Sequence, residues 1–256
     1  MTVSAETVVV QSQRSDRLQG WQGRCCASVK RWAEGNGFGY ELLGDELFDL
    51  VPDALREKFA GQPVVLSDLA RLFLLRRALS GGASTAIWCD ADLLVFRDFQ
   101  PRPSRESFGR ECWLQLHDGK QKRYRKIHNA WLQFSAESPV LGFYLDRALT
   151  LLETAEVPVV PQFVGPKLLT AWHNMVPFPV EERVGMLSPL AAKALLDDER
   201  KALSSLMEGH DDMLCALNLS ASCEGREVDE ITLDESAYAA LIDGLQSGEL
   251  VRRIVP

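Results

Sequence analysis

The chain has 256 residues, of which 46% are hydrophobic and 25% charged, and its formal net charge is −8. That length suffices for one large α/β domain, and the acidic balance excludes bulk attraction to nucleic acid or to an anionic membrane surface. No apolar run approaches the roughly 20 residues of a membrane-spanning helix, and "MTVSAETVVVQSQRS" lacks the basic and then apolar pattern of a secretory leader. The six cysteines are scattered without a C-x-x-C pair, so neither a zinc site nor a disulfide framework is expected. Reduced thiols in a cytoplasmic protein, at most peripheral to the inner membrane, are the expectation.

"TVVVQS" (7–12) is β-branched and reads as a first core strand. "LQGWQGRCCASVKRWAEGNG" carries a helical pattern through Cys25, Val29 and Trp32 and stops at the breaker Gly35-Asn36-Gly37. "FGYELLG" predicts a second strand, and "DELFDLVPDALREKF" one or two short helices broken near Val51 by Pro52. Ser67 or Asp68 can cap a helix that runs to Leu79 and ends at Gly81-Gly82. "STAIWC" is an apolar strand of the kind buried in the middle of a parallel sheet. A two-proline loop follows, then a strand at "CWLQLHD", a basic, mobile segment "GKQKRYRKIHN", and another strand at "AWLQFSA". "SPVLGFYLDRALTLLETA" predicts a helix capped by Ser138 with Pro139 in its first turn. Val164-Gly165-Pro166 is a loop before a short helix, Leu187 to Leu217 reads as helical, and the tail from Asp229 as a small terminal helix. The recurring order strand, helix, strand points to an α/β fold with a parallel or mixed sheet, in one domain.

In "AIWCDADLLVFRDF" two carboxylates, Asp90 and Asp92, follow directly on a buried strand. In an extended chain residues i and i+2 project to one side, and open α/β sheets bind ligands beyond the carboxyl ends of their strands. Two hard oxygen donors there suit Mg2+ or Mn2+, which also take substrate phosphates. One helix upstream, Asp68 and Arg71 stand at i,i+3 and share a face. Asp68 is placed to take a substrate hydroxyl, and Arg71 to meet a phosphate or to orient Asp68. A plain structural reading of the same residues is a solvated strand end and a local ion pair.

The stretch "SDLARLFLLRRALSGGASTAIWCDADLLVFRDF" resembles the core of glycosyltransferases with a DXD sugar-binding region, of the family 32 and capsular polysaccharide synthesis kind. Their order is an Asp-x-x-Arg helix, Gly-Gly, then a strand ending in Asp-x-Asp. "VVVQSQ", "CCASVKRWAEGNGFGYELLGDELFD", Asn129 in "HNAWLQFSAESPVLGFYLDRAL" and "VGPKLLTAW" are similar to further family segments in family order, over residues 7–172. Two features depart from the family: the Gly-Gly to Asp-x-Asp spacing is stretched, and in place of the C-terminal His-x-Trp-Asn-like element that completes the metal or phosphate site, "HDDMLCALNLSAS" offers His210, Asp211 and Asn218, none of which aligns with it.

The resemblance implies a GT-A fold with a mixed, mostly parallel sheet flanked by helices. It implies a single 1–256 domain whose 7–100 half binds the nucleotide sugar and whose 101–256 half faces the acceptor. It further implies transfer of a sugar from a nucleotide-diphosphate donor, most simply a UDP-sugar, to a glycan or other acceptor. Asp90 and Asp92 would be the catalytic pair and the ligands of Mn2+ or Mg2+, with His210 or Asn218 as a third ligand. Gln11, Asp68, Arg71, Asp90 and Asn129 would lie against the donor, and Gly165 and Pro166 on the acceptor side. No side chain stands out as a nucleophile, so retention by internal return is the expected stereochemistry.

Other residues carry less. The basic run reads as a solvated face, with an anionic diphosphate as its alternative partner. His117, His128 and His173 read as structural, and the six tryptophans as core, with Trp32 the choice for stacking on a base. "GGASTA" lacks the lysine of a P-loop. Two alternatives stand beside sugar transfer. One is a haloacid dehalogenase-type phosphatase using Asp90 and Asp92 as nucleophile and acid/base, with Lys167 and "HDDM" as its later motifs, although Leu94 stands where that family has Thr or Val. The other is an inactive protein that binds a sugar nucleotide.

Overall fold

The computed structural model describes residues 6–254. β1 (Thr7–Ser12) leads into α1 (Trp21–Gly35) and β2 (Gly39–Leu43). A 3-10 turn (Asp45–Leu50) and α2 (Asp53–Lys58) are separated at Pro52, as expected. α3 (Pro63–Ser80) and β3 (Thr85–Cys89) follow, with Gly82 at φ +104° in the turn between them, a conformation that favours glycine. Next come β4 (Leu93–Val95), β5 (Glu106–His117), β6 (Lys120–Ser135), α4 (Pro139–Thr154) and α5 (Pro166–Met175). The remainder holds β7 (Val180–Glu181), β8 (Val184–Met186), α6 (Pro189–Asp197), α7 (Arg200–Met207), β9 (Ala216–Asn218), β10 (Glu227–Val228), β11 (Ile231–Thr232) and α8 (Glu235–Gln246).

The central sheet has six strands in the order β2-β1-β3-β6-β5-β7. β2, β1 and β3 are parallel, β6 runs antiparallel to β3 and β5, and β7 is parallel to β5. The expected mixed α/β architecture is therefore present. β3 is apolar throughout because both of its faces are covered. Ala86 and Trp88 pack into the core under α3 and α4, while Ile87 and Cys89 pack with Val29 and Trp32 of α1 on the opposite face. A third core joins α6, α7 and α8 to Cys112 and Leu114 of β5 and to Trp21 and Cys25 of α1. A small second sheet, β4-β9-β8, lies beyond the carboxyl end of β3.

Four expectations are corrected. α3 starts at Pro63, a residue suited to a first helical turn, so Ser67 and Asp68 lie inside the helix and cap nothing. The basic segment is the first half of β6, held by continuous pairing to β5 from His117↔Lys120 to Arg110↔Ile127. Glu106 already belongs to β5, which shortens the two-proline loop. The Leu187–Leu217 stretch is two helices broken at Asp198, which is left-handed at φ 59°, and it closes on β9. The helix capped by Ser138, whose hydroxyl accepts from Val140 N–H, is as expected. All six cysteines are free and buried, and among the described residues no helix is long and apolar enough to cross a membrane.

Candidate functional site

Asp90 is the first residue past β3. Its N–H donates to Ala130 C=O at 2.9 Å, which extends the β3–β6 ladder by one rung. Its own C=O accepts from Leu93 N–H at 3.0 Å, closing the tight turn into β4. Gln11, fully buried near the end of β1, donates from Nε2 to the same carbonyl at 3.0 Å, and its Oε1 accepts from Tyr40 Oη at 2.9 Å. Gln11 thus fixes the backbone of the turn that carries both carboxylates.

The side chain of Asp90 is tied to α3. Arg71 donates from Nη1 to Asp90 Oδ1 and to Asn129 C=O, both at 2.9 Å, and its Nη2 lies 3.2 Å from Asp68 Oδ1. Trp88 donates its indole N–H to Asp90 Oδ1 at 2.6 Å, and the Arg71 guanidinium sits 4.9 Å from the centre of the Trp88 ring. Trp88 and Asp90 meet because residues i and i+2 of a strand share a face. Asn129 donates from Nδ2 to Asp68 Oδ1 at 2.7 Å. Asp68, Arg71, Asp90 and Asn129 are one connected group.

Asp68 itself does not open on the cleft. It is 2% exposed, and a Cβ on Gly165 would stand 2.3 Å from Asp68 Oδ2 and 2.8 Å from Asn129 Nδ2. Gly165 is required there because its bare Cα is what the carboxylate packs against. Burial pushes the Asp68 carboxyl up, and Arg71 and then Asn129 pull it back. The expected contact of Asp68 with a donor hydroxyl is thereby corrected in this arrangement: Asp68 positions Arg71, and Arg71 and Asp90 reach the cleft. Gly165 and Pro166 begin α5 directly over this group.

Asp92 is held by a different part of the chain. Its Oδ1 accepts from Asn218 Nδ2 at 2.6 Å and its Oδ2 from Ala221 N–H at 2.7 Å, while its C=O accepts from Leu219 N–H at 2.9 Å. These partners arrive because β9 pairs with β4, with Leu93 opposite Asn218. Among the described residues no lysine or arginine is in ion-pair contact with Asp92. Burial, and then the neighbouring charge of Asp90, push its carboxyl up to about 6, against the downward pull of Ala221 N–H and Asn218.

The pair lies in a cleft of about 520 Å3 whose wall includes Ser12, Arg14, Phe48, Arg71, Trp88 and Ala221. The donor set fits a hard divalent cation. Asp90 is a quarter exposed, with Oδ2 unengaged by any side chain described, and Asp92 lacks a cation although its neighbour is a carboxylate. Among the described residues no cluster of three or more His, Cys, Asp or Glu could hold a metal, so water and substrate oxygens would complete the shell.

The expected third ligands are corrected. Asn218 spends Nδ2 on Asp92 and Oδ1 on Ser220 N–H at 2.9 Å, so it orients a ligand and does not serve as one. His210 is buried away from the pair, its Nδ1 3.1 Å from Glu182 C=O and its ring against Gly185 of β8, and burial holds its imidazole down at about 4. Trp32 is core, stacked on Phe99 at 5.0 Å and donating to Phe99 C=O, so it offers no face to a base. The basic run is partly committed: Arg123 pairs with Glu208, and Arg125 with Glu182 and Asp211. Sequence reasoning missed Trp88, Ala221 N–H and Tyr40. Only Trp88 carried a signal, its i,i+2 relation to Asp90.

No family model matches the chain, and no curated protein matches it. Solved structures similar in overall course include a glycosyltransferase involved in the glycosylation of the major capsid of PBCV-1, at 10% identity and a TM-score of 0.48, covering 94% of this chain and 99% of that one. Mouse xyloside xylosyltransferase 1 gives 12% identity, a TM-score of 0.46 and coverage of 84% and 98%. The glycosyltransferase GlyE of Streptococcus pneumoniae gives 10% identity, a TM-score of 0.48 and coverage of 95% of this chain and 61% of that one.

Proposed function

We propose that the chain is a metal-dependent glycosyltransferase of the GT-A type that moves a sugar from a nucleotide-diphosphate donor, a UDP-sugar in the first instance, to a glycan or other acceptor with retention. The observation that carries this reading is the pair Asp90 and Asp92 at the carboxyl end of β3, in a cleft, with a resident cation beside one and none beside the other. Bound Mn2+ or Mg2+ would supply charge neutralisation and Lewis acidity to a diphosphate leaving group.

The chain's own residues do the rest. Arg71 pairs with Asp90 and fixes its rotamer, and Trp88 N–H shares that task. Asn218 and Ala221 N–H aim the Asp92 carboxylate from the opposite side. Arg14 stands at the lip of the cleft, paired with Asp16 at 2.8 Å, and would have to exchange that partner for an anionic diphosphate. Phe48, from the turn after β2, gives the same wall an apolar surface suited to a base.

The test is a thermal-shift panel of UDP-glucose, UDP-galactose, UDP-N-acetylglucosamine, UDP-xylose and GDP-mannose, each with MnCl2 or EDTA. At about 100 times its Kd a donor adds about 2.7 kcal/mol, or roughly 5–10 °C in a chain this size. The rise is expected for at least one donor, only with metal, and is lost in the Asp90→Asn, Asp92→Asn double variant. An equal rise in that variant, or none with any donor, sinks the proposal. Phosphate release from p-nitrophenyl phosphate without a sugar donor would favour the phosphatase instead.

A further inference from the structure

The β5–β6 hairpin presents a second concavity, of about 400 Å3, lined by Glu111, Trp113, Gln115, Tyr124, Gln162 and Pro166. That volume is within the range of small-molecule sites. Its floor is built by strand register: Glu111 lies opposite Lys126 and Trp113 opposite Tyr124, all on one face. Four of the six tryptophans donate their indole N–H inside the fold, to Glu224, Phe99 C=O, Asp90 and Ser107. Trp113 does not, and among the described residues its ring stacks on no other. Glu111 is half-buried in the groove, where burial pushes its carboxyl up. It forms no ion pair with Lys126, whose ammonium lies 5.7 Å from the centre of the Tyr124 ring. An aromatic ring with an open face and N–H, a carboxylate without a partner, and two amides at Gln115 and Gln162 converge on one space.

Two residues of the groove adjoin residues that build the candidate site. Pro166 follows Gly165, which packs on Asp68 and Asn129. Met186, on its far wall, pairs in register with Asn218, which holds Asp92.

We infer that this groove binds the acceptor, and that the acceptor is a saccharide; the acceptor role rests on the sugar-transfer reading above. A pyranose has apolar C–H faces that cover an indole and vicinal hydroxyls that donate to a carboxylate and accept from amides. The groove supplies both, and the opposed charges of Glu111 and Lys126 suit a neutral polyol. Trp113 is the stacking platform and Glu111 the hydroxyl acceptor.

The probes are methyl glycosides of glucose, galactose, mannose, xylose and N-acetylglucosamine, with α-1,4 and β-1,4 glucose trisaccharides. Each is measured by saturation-transfer NMR and tryptophan fluorescence, with and without UDP and MnCl2. At least one probe is expected to bind, with affinity falling about tenfold or more in Trp113→Ala and measurably in Glu111→Gln, and partly retained in Trp113→Phe. Far-UV circular dichroism and the UDP–Mn2+ thermal shift of each variant separate loss of the groove from loss of the fold. Saccharide binding equal in wild type and Trp113→Ala, or no binding by any probe to a protein that binds UDP and Mn2+, overturns the inference. Saccharide binding through Trp113 without any UDP–Mn2+ binding keeps the groove and removes the transferase reading instead.

Discussion

Asp90 and Asp92 are two residues apart and live in opposite electrostatic settings. Asp90 belongs to the α3 side of the cleft, where Arg71 at 2.9 Å and the Trp88 N–H at 2.6 Å satisfy one of its oxygens. Asp92 belongs to the β9 side, where an amide and a backbone N–H hold it and no side-chain cation does. The first setting has its counter-charge within the fold and leaves Oδ2 free toward the cleft. The second positions a carboxylate without a side-chain cation, which under the proposed function a bound divalent ion would supply. A nearby carboxylate raises the cost of ionising Asp92, so a cation bound beside the pair would be favoured.

The comparison breaks most visibly at Arg71. Arg71→Met leaves Asp68 and Asp90 without their shared cation. Removing one partner of a buried ionic group costs about 3–5 kcal/mol. Urea unfolding at pH 7 is expected to show a loss of that size, and a loss below about 1 kcal/mol would mean that the α3 side is not internally compensated. Gly165→Ala probes the same side more gently. Its Cβ would fall 2.3 Å from Asp68 Oδ2, so the carboxylate or the start of α5 must shift. The expected cost is about 1–3 kcal/mol, as for other overpacking substitutions. An unchanged midpoint would show that the contact between α5 and α3 yields freely.

The difference between the two sides also explains what could be read beforehand. Asp68, Arg71 and Asp90 were legible because their relation is local: i,i+3 on one helix, then one short turn to a strand end. β1, α1, β2, β3 and α4 were legible for the same reason, each having its own period and its own stop. The surroundings of Asp92 were not legible, because Asn218 and Ala221 arrive through β9, a three-residue strand with no periodicity of its own, whose pairing with β4 is set by tertiary contact. The register of the β5–β6 hairpin was hidden by charge. "KQKRYRK" looks like a solvated loop until Trp113 is paired with Tyr124. Gly165 gave no hint of Asp68, since close approach of a backbone to a distant side chain leaves no local pattern.

The pH profile of Asp92 is the most direct test. Burial and then the charge of Asp90 push the Asp92 carboxyl up to about 6, above the ordinary value of about 3.9. The folded protein therefore holds that proton more tightly than the unfolded chain. Its contribution to stability falls as pH rises from about 4 to about 6 and stays low above. Asp92→Asn removes this slope. Unfolding free energies of wild type and Asp92→Asn should be measured from pH 4 to 8, in EDTA and in MnCl2. In EDTA the wild type is expected to lose stability relative to the variant across pH 4–6. In MnCl2 the wild type alone is expected to recover it above pH 6, because the ion binds the ionised pair. Parallel profiles in EDTA, with Mn2+ shifting both proteins equally or neither, would contradict the claim that Asp92 awaits a cation.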